Sequence, residues 1–279
     1  MQENFDIPYF LIVGAMKSGT TSLQQYLIKH PAIAIPNYEI HYFDKEENYI
    51  KGSDWYKQQF PVTQNTQITG EKTPAYSLHA KVPQRIYDLN PQTKLIWILR
   101  NPVARTYSNY LHAVKKGAEK NTFKQALEEE DKRKDANYIL DYKKRSMYYE
   151  QVKHFSEIFP LRKMHFILFE HFIKNPQKEL NILCDFLGIE KIAFDKIIKT
   201  HKSYWPFSIY LQFYSRKIFR NSHIYKGITR LNRFFSFQKP DMNNETEQVL
   251  YQYFKEENRQ LSDLIDKDLS LWNSNSSST

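Results

Sequence analysis

Gly14-Ala-Met-Lys17-Ser18-Gly19-Thr20-Thr21-Ser22 follows an apolar run, Tyr9 to Val13, and precedes a segment with helical spacing. A glycine-containing turn between a buried strand and a helix start offers backbone N–H groups to an anion. The spacing of Gly14 and Gly19 approaches that of a Walker A loop, with one informative difference. Thr20 stands where the lysine would follow the second glycine, and the loop's own lysine is Lys17. A lysine there lies beside the anion and can neutralise charge on a leaving group. Ser18, Thr20, Thr21 and Ser22 add hydroxyl donors. An ordinary strand-to-helix turn with a Ser/Thr cap has the same local composition, so the loop alone leaves both readings open.

Arg100 ends a second apolar run, Lys94 to Leu99. Ligands of open α/β sheets bind beyond the carboxyl ends of strands. Arg100 is therefore placed for a bidentate phosphate contact, with Ser108 on the helix that follows. Alone, an ion-paired Arg at a strand end and a surface Ser would explain these two residues. Two anion sites at the ends of two strands fit a nucleotide with phosphates at both ends.

The elements that must position these groups are legible as alternating patterns. Tyr9 to Val13, Lys94 to Leu99 and Met164 to Phe169 read as buried strands. Helical spacing runs over Thr20 to Lys29, from Asn101-Pro102 to about Lys116, and after Phe169 to about Leu187, with Asn101 and Pro102 suited to the cap and first helical position. Strands alternating with helices predict an α/β fold, a P-loop-like and mainly parallel sheet flanked by helices. After Ile189 the pattern changes. Residues 203–238 are aromatic and basic, and Asn243 to Leu271 reads as one long helix. The expected organisation is one domain over 1–272, with a core at about 7–190, a C-terminal helical, aromatic-rich lobe at about 191–272, and a disordered tail at 273–279.

Composition narrows the partners. The chain has 279 residues and a formal net charge of +9, which suits either an anionic partner or a solvated surface rich in Lys. Cys184 is the one cysteine, so an intramolecular disulfide and a Cys-rich zinc site are excluded. There is no clustered Asp/His ligand set, and no metal is expected. No basic start with an apolar stretch opens the chain, and no run approaches the roughly 20 apolar residues of a membrane span. The expectation is a cytoplasmic protein without an integral membrane segment.

Taken in order, these segments resemble the sulfotransferases that use 3′-phosphoadenosine 5′-phosphosulfate (PAPS). Lys17-Ser-Gly-Thr-Thr-Ser22 is similar to their 5′-phosphosulfate loop, and Arg100-Asn-Pro-Val-Ala-Arg-Thr-Tyr-Ser108 to their 3′-phosphate segment. Phe169-Glu170, then Asn175-Pro176 and a helix ending Phe186-Leu187-Gly188, also follow the family pattern. Glu39-Ile-His41-Tyr-Phe-Asp44, Gly70-Glu71-Lys72-Thr73-Pro74-Ala75-Tyr76 and Arg145-Ser146-Met147-Tyr148 resemble segments of the heparan-sulfate 3-O- and N-sulfotransferases and of bacterial enzymes built like them. After residue 190 the chain departs from them, because Cys184 alone cannot form their disulfide-bonded loop. Lys202-Ser-Tyr-Trp205 stands where their Lys-Gly-aromatic stretch closes over PAPS.

The resemblance implies sulfuryl transfer to a hydroxyl or amine of a saccharide or small molecule, with adenosine 3′,5′-bisphosphate (PAP) as product. It implies Glu39 as general base, Lys17 on the bridging oxygen, Lys72 on the sulfuryl oxygens or the acceptor, and Glu71 as the second candidate base. In an extended segment Glu39 and His41 point to one side, so His41 can orient Glu39 or bind the acceptor. The stretch Lys202 to Lys239 is expected to border the acceptor cleft and to close over the nucleotide. Two other readings compete. A P-loop kinase or NTPase shares the strand–loop–helix start, and a non-enzymatic nucleic-acid binder would account for the net charge; nucleic acid is not the expected partner.

Overall fold

Three apolar runs, the short apolar segment Ala32 to Ile35 and one charged segment become the strands of one parallel sheet. The computed structural model describes residues 7–133, 138–195, 204–219 and 222–273. Its strands are β1 Phe10–Gly14, β2 Ile33–Ala34, β3 Ile68–Lys72, β4 Lys94–Leu99 and β5 Met164–Leu168, in the order β2-β3-β1-β4-β5. Every pairing is parallel. The helices, in chain order, are α1 Thr20–Leu27, α2 Glu46–Tyr49, α3 Gly52–Lys57, α4 Val82–Leu89, α5 Pro102–Lys115, α6 Phe123–Glu129, α7 Tyr148–Ser156, α8 Phe169–Lys174, α9 Pro176–Leu187, α10 Ile209–Phe219, α11 His223–Phe234 and α12 Asn244–Ile265. The α/β class expected from alternation is the class observed.

The chain divides into two compact units, residues 1–101, 148–198 and 259–268 in one, and 102–147, 199–258 and 269–279 in the other. The first holds the whole sheet. All of β1 is buried, as are Leu95 to Leu99 of β4, which is why both strands read as unbroken apolar runs. Ile12, Ile96 and Ile98 pack with Leu23 and Leu27 of α1 and with Leu180, Leu183 and Cys184 of α9. Cys184 is a fully buried core residue. The second unit is helical. Tyr107, Tyr110, Leu111 and Val114 of α5 pack with Leu127 of α6 and with Leu250 and Phe254 of α12.

By this division residues 102–147 group with residues 199–258. Residues 102–147 follow β4 directly in sequence, yet their apolar side chains are used in the helical unit. The expected helix over Asn243 to Leu271 is shorter, ending at Ile265. Asp266 takes a left-handed φ of 49°, and Ser262 Oγ donates to the Lys267 carbonyl at 2.6 Å, so the chain turns there. The proposed tail beyond Asn273 lies outside the described residues, as does Lys202. Among the described residues no helix is long and apolar enough to cross a membrane.

Candidate functional site

Parallel strands send all their carboxyl ends to one edge of the sheet, and the sequence candidates of the first unit gather there. β1 runs into the loop 15–19, which is tied to the neighbouring strand end by Ala15 N–H donating to the Ile98 carbonyl at 2.9 Å. Lys17 and Gly19 both take left-handed backbone, φ 72° and 95°. At Gly19 a Cβ would also lie 2.8 Å from the Phe169 ring, so conformation and space both require glycine. The first helical bond of α1 is Leu23 N–H to the Gly19 carbonyl. The N–H groups of Thr20, Thr21 and Ser22 therefore have no intrahelical carbonyl and lie at the positive end of the helix dipole.

Ser18 is fully buried, and its Oγ has no hydrogen-bond partner among the described residues. Such a hydroxyl costs about 1–3 kcal/mol when left unpaired, and it stands in the loop read from the sequence as a candidate anion site. Arg100 extends from the end of β4 to this loop, donating from Nη1 to the Lys17 carbonyl at 3.2 Å with its guanidinium over the Phe169 ring at 5.0 Å. Burial pulls the Arg100 guanidinium below its ordinary pKa, against the opposing charge of Glu170. Arg100 and the loop 15–19, read separately from the sequence as candidate anion sites, thus meet at adjacent strand ends. Ser108 lies half-buried on α5, in the helical unit.

The acidic segment follows β2 and packs beside β3. Lys72, the last residue of β3, donates to Glu39 Oε1 at 2.6 Å. His41 Nε2 lies 3.4 Å from Glu39 Oε2, and His41 Nδ1 lies 2.8 Å from Asp44 Oδ2. Glu39 and His41 do converge as expected, but not through an extended segment. His41 takes a left-handed φ of 56°, which folds its ring back between the two carboxylates. Main-chain ties hold this turn. Gln24 donates to the Pro36 carbonyl at 2.6 Å, Asn48 to those of Ile40 and His41 at 3.0 and 3.2 Å, and Tyr42 N–H to Tyr76 Oη at 2.9 Å.

Burial pushes the Glu39 carboxyl up, but the hydrogen bonds from His41 and Lys72 and the Lys72 charge outweigh it and hold the pKa at about 2. The hydrogen bond to Asp44, and then that to Glu39, raise His41 to about 9 against the cost of burial. At neutral pH the constellation is therefore a chain of alternating charges in which both ring nitrogens of His41 donate. Glu71 sits one residue before Lys72 on β3 and points the other way. It is fully buried and accepts from Tyr56 Oη at 2.6 Å, Thr73 Oγ1 at 2.6 Å and Tyr76 Oη at 2.7 Å, and burial raises its pKa. Because Tyr76 also receives the Tyr42 N–H, Glu71 anchors the hydroxyl that supports the turn carrying His41. Asp44 is the site residue not singled out from the sequence. Its signal was the three-residue spacing after His41 within a segment already noted. Among the described residues no group of three or more His, Cys, Asp or Glu is arranged to hold a metal.

The two shifts act on stability with opposite signs. Glu39, lowered from 4.5 to about 2, contributes fully above pH 4.5 and loses that contribution as pH falls towards 2. His41, raised from 6.5 to about 9, contributes fully below pH 6.5 and loses it as pH rises through 9. The melting temperature lost in His41→Asn should therefore be greatest between about pH 4.5 and 6.5 and shrink towards pH 9. A loss that stays constant from pH 5 to 9.5 would mean that His41 is not held protonated by its two carboxylates.

The chain matches the family model described as "Sulfotransferase domain" over residues 8–263. Heparan sulfate glucosamine 3-O-sulfotransferase 5 of Mus musculus is 33% identical over 186 residues, covering 66% of this chain and 54% of that protein. Heparan sulfate glucosamine 3-O-sulfotransferase 3B1 of Homo sapiens is 35% identical over 193 residues, covering 68% of this chain and 48% of that protein. The chain thus spans about half the length of the curated relatives it matches. Among solved structures, a sulfotransferase from Alicyclobacillus acidocaldarius superposes with a TM-score of 0.74 at 26% identity, covering 96% of this chain and 99% of that one.

Proposed function

The chain belongs to the sulfotransferase domain family, and from that premise we propose that it transfers a sulfuryl group from PAPS to a hydroxyl of a saccharide acceptor, releasing PAP. The observation that carries the reading is the sharing of one sheet edge by an anion loop with an unpartnered buried hydroxyl, Ser18 Oγ, and a carboxylate, Glu39, held between Lys72 and His41. The saccharide is favoured by the heparan sulfate enzymes to which the chain is similar.

PAPS, when bound, supplies an electrophilic sulfur and a phosphate leaving group. Lys17, Ser18, Gly19, Thr20, Thr21 and Ser22 would hold its 5′-phosphosulfate through first-turn N–H groups and hydroxyls. Arg100 would take the 3′-phosphate. Ser108 and Lys202 are kept in nucleotide binding on the sequence resemblance alone. Glu39 accepts the acceptor's proton. Its contacts keep it ionised at every ordinary pH and also make it a weak base. Lys72 would meet the sulfuryl oxygens of a bound donor, and drawing its Nζ away from Glu39 would remove a hydrogen bond and a positive charge from that carboxylate. Its proton affinity then rises when the proton has to move. His41, held by Asp44, keeps the carboxylate oriented. The neutralisation that divalent metals bring to kinases is assigned here to Lys17, Lys72 and Arg100.

The test is differential protection. A ligand that binds only the native state, at 100 times its Kd, stabilises by about 2.7 kcal/mol, or roughly 5–10 °C for a chain of this size. PAP should produce such a shift and ATP with Mg²⁺ much less. Arg100→Ala should weaken PAP and erase its preference over nucleotides lacking a 3′-phosphate. Equal protection by PAP and ATP–Mg²⁺ would favour the kinase or NTPase reading instead.

A further inference from the structure

The net charge of the chain is concentrated in one stretch. No Asp or Glu lies between Asp195 and Asp241, while ten of the 40 Lys and Arg do. That leaves 30 cations elsewhere against 31 acids, so the +9 resides in this stretch and the remainder of the chain is close to neutral. Within it, α10 and α11 pack against each other with their polarity inverted. On α10 the buried residues are Gln212 and Ser215, whereas Tyr210, Leu211, Tyr214 and Ile218 are exposed. On α11 the buried residue is Asn232, whereas Ile224, Leu231 and Phe234 are exposed, Phe234 by 80%.

The inversion is built in. Asn232 Nδ2 donates to Gln212 Oε1 at 2.8 Å and to the Ser208 carbonyl at 2.9 Å. Gln212 Nε2 donates to Thr229 Oγ1 at 3.1 Å and to the Lys115 carbonyl at 3.2 Å. Gly117, at φ 67°, lets the α10 backbone seat closely, since a Cβ there would lie 2.4 Å from the Gln212 carbonyl oxygen. The pair is thus a fixed element with a polar seam and outward apolar faces. At 100° per residue, Ile224, Leu231 and Phe234 fall within an arc of about 80° on α11, Arg230 lies about 40° beyond Phe234, and Lys226 and Arg233 follow on that same side. Lys217 borders the Tyr210–Tyr214–Ile218 arc of α10 in the same way.

We infer that the α10–α11 pair docks on an anionic phospholipid surface, inserting its aliphatic and aromatic residues at the level of the headgroups while the flanking Lys and Arg meet lipid phosphates. An exposed apolar arc bordered along one side by basic residues, in a stretch free of acids, is the pattern of helices that lie in a membrane interface. A second copy of this chain fits poorly, because matching pairs would bring like charges together. Nucleic acid would use the cations but leave Leu211, Ile218, Ile224 and Leu231 without a partner.

The experiment is co-sedimentation of the full chain with vesicles of phosphatidylcholine, alone or with about 30 mol% phosphatidylglycerol. The native chain should pellet with the anionic vesicles, release in high salt, and ignore pure phosphatidylcholine. The combined variant Ile224→Ser, Leu231→Ser, Phe234→Ser and the combined variant Lys217→Glu, Lys226→Glu, Arg230→Glu should each lose at least about tenfold in partitioning, because both the apolar and the charged terms are needed. Both should keep the native circular dichroism, since the replaced side chains face solvent. Absence of binding at low salt, or unchanged binding by the folded serine variant, overturns the inference. So does a gel shift with RNA at concentrations where vesicles are ignored, or a concentration-dependent dimer that the serine variant abolishes.

Discussion

Glu39→Gln should bind PAP within a fewfold of the native protein and turn over about 10²-fold or more slowly, the usual loss when a general base is removed. Glutamine keeps an oxygen to accept from Lys72 Nζ, now 2.6 Å from Glu39 Oε1, so the pair loses its charge but not its geometry. Alanine would be a poorer probe. Lys72 is only 6% exposed in its side chain, and deleting the partner of a buried ion costs about 3–5 kcal/mol. The nucleotide loop at 14–22 shares no hydrogen bond with Glu39 among those described, so the thermal shift produced by PAP should persist. Single-turnover transfer from labelled PAPS separates the chemical step from binding. If Glu39→Gln turns over within about threefold of the native rate while Glu71→Gln is inactive and folded, the two carboxylates have been assigned the wrong way round.

The contrast between these neighbours also marks what the sequence could convey. β4 was legible to the residue, because Lys94 to Leu99 is an apolar run with every residue after Lys94 buried. β3 was not legible as a strand. Its Ile-Thr-Gly-Glu-Lys sequence carries two charges, and their burial depends on Tyr56, Thr73 and Tyr76 for Glu71 and on Glu39 for Lys72. No local pattern announces partners up to 33 residues away. The left-handed backbone at His41 was hidden for a similar reason. Histidine carries no turn signal as glycine does, and the turn is imposed by Gln24, Asn48 and Tyr76. The grouping of residues 102–147 with the C-terminal helices rests on α5 packing against Leu250 and Phe254, more than 130 residues later. The density of aromatics over 203–238 was visible, but not that Gln212, Ser215 and Asn232 would be the buried residues of α10 and α11.

Lys17→Met should lower the rate of transfer by about 10²- to 10³-fold, the loss found when one donor to a developing charge is removed from a preorganised site. Methionine suits the test because it carries the same Cβ and an unbranched stem. The left-handed φ of 72° at this position is no more strained than in the native chain, and the Lys17 carbonyl still accepts from Arg100. Only the ammonium is lost. If that charge acts where negative charge grows on the leaving phosphate, the loss falls on kcat, and the melting shift produced by PAP is largely kept. If Lys17 instead serves as a ground-state phosphate clamp, PAP affinity and kcat/KM fall together while kcat stays near native. Lys17→Arg keeps the charge, though not the point geometry of an ammonium, and should recover part of the rate. The deciding measurement is kcat with saturating donor. A Lys17→Met protein that is folded, binds PAP and keeps kcat within about threefold would remove Lys17 from the chemical step and leave the displaced lysine of this loop with a structural role only.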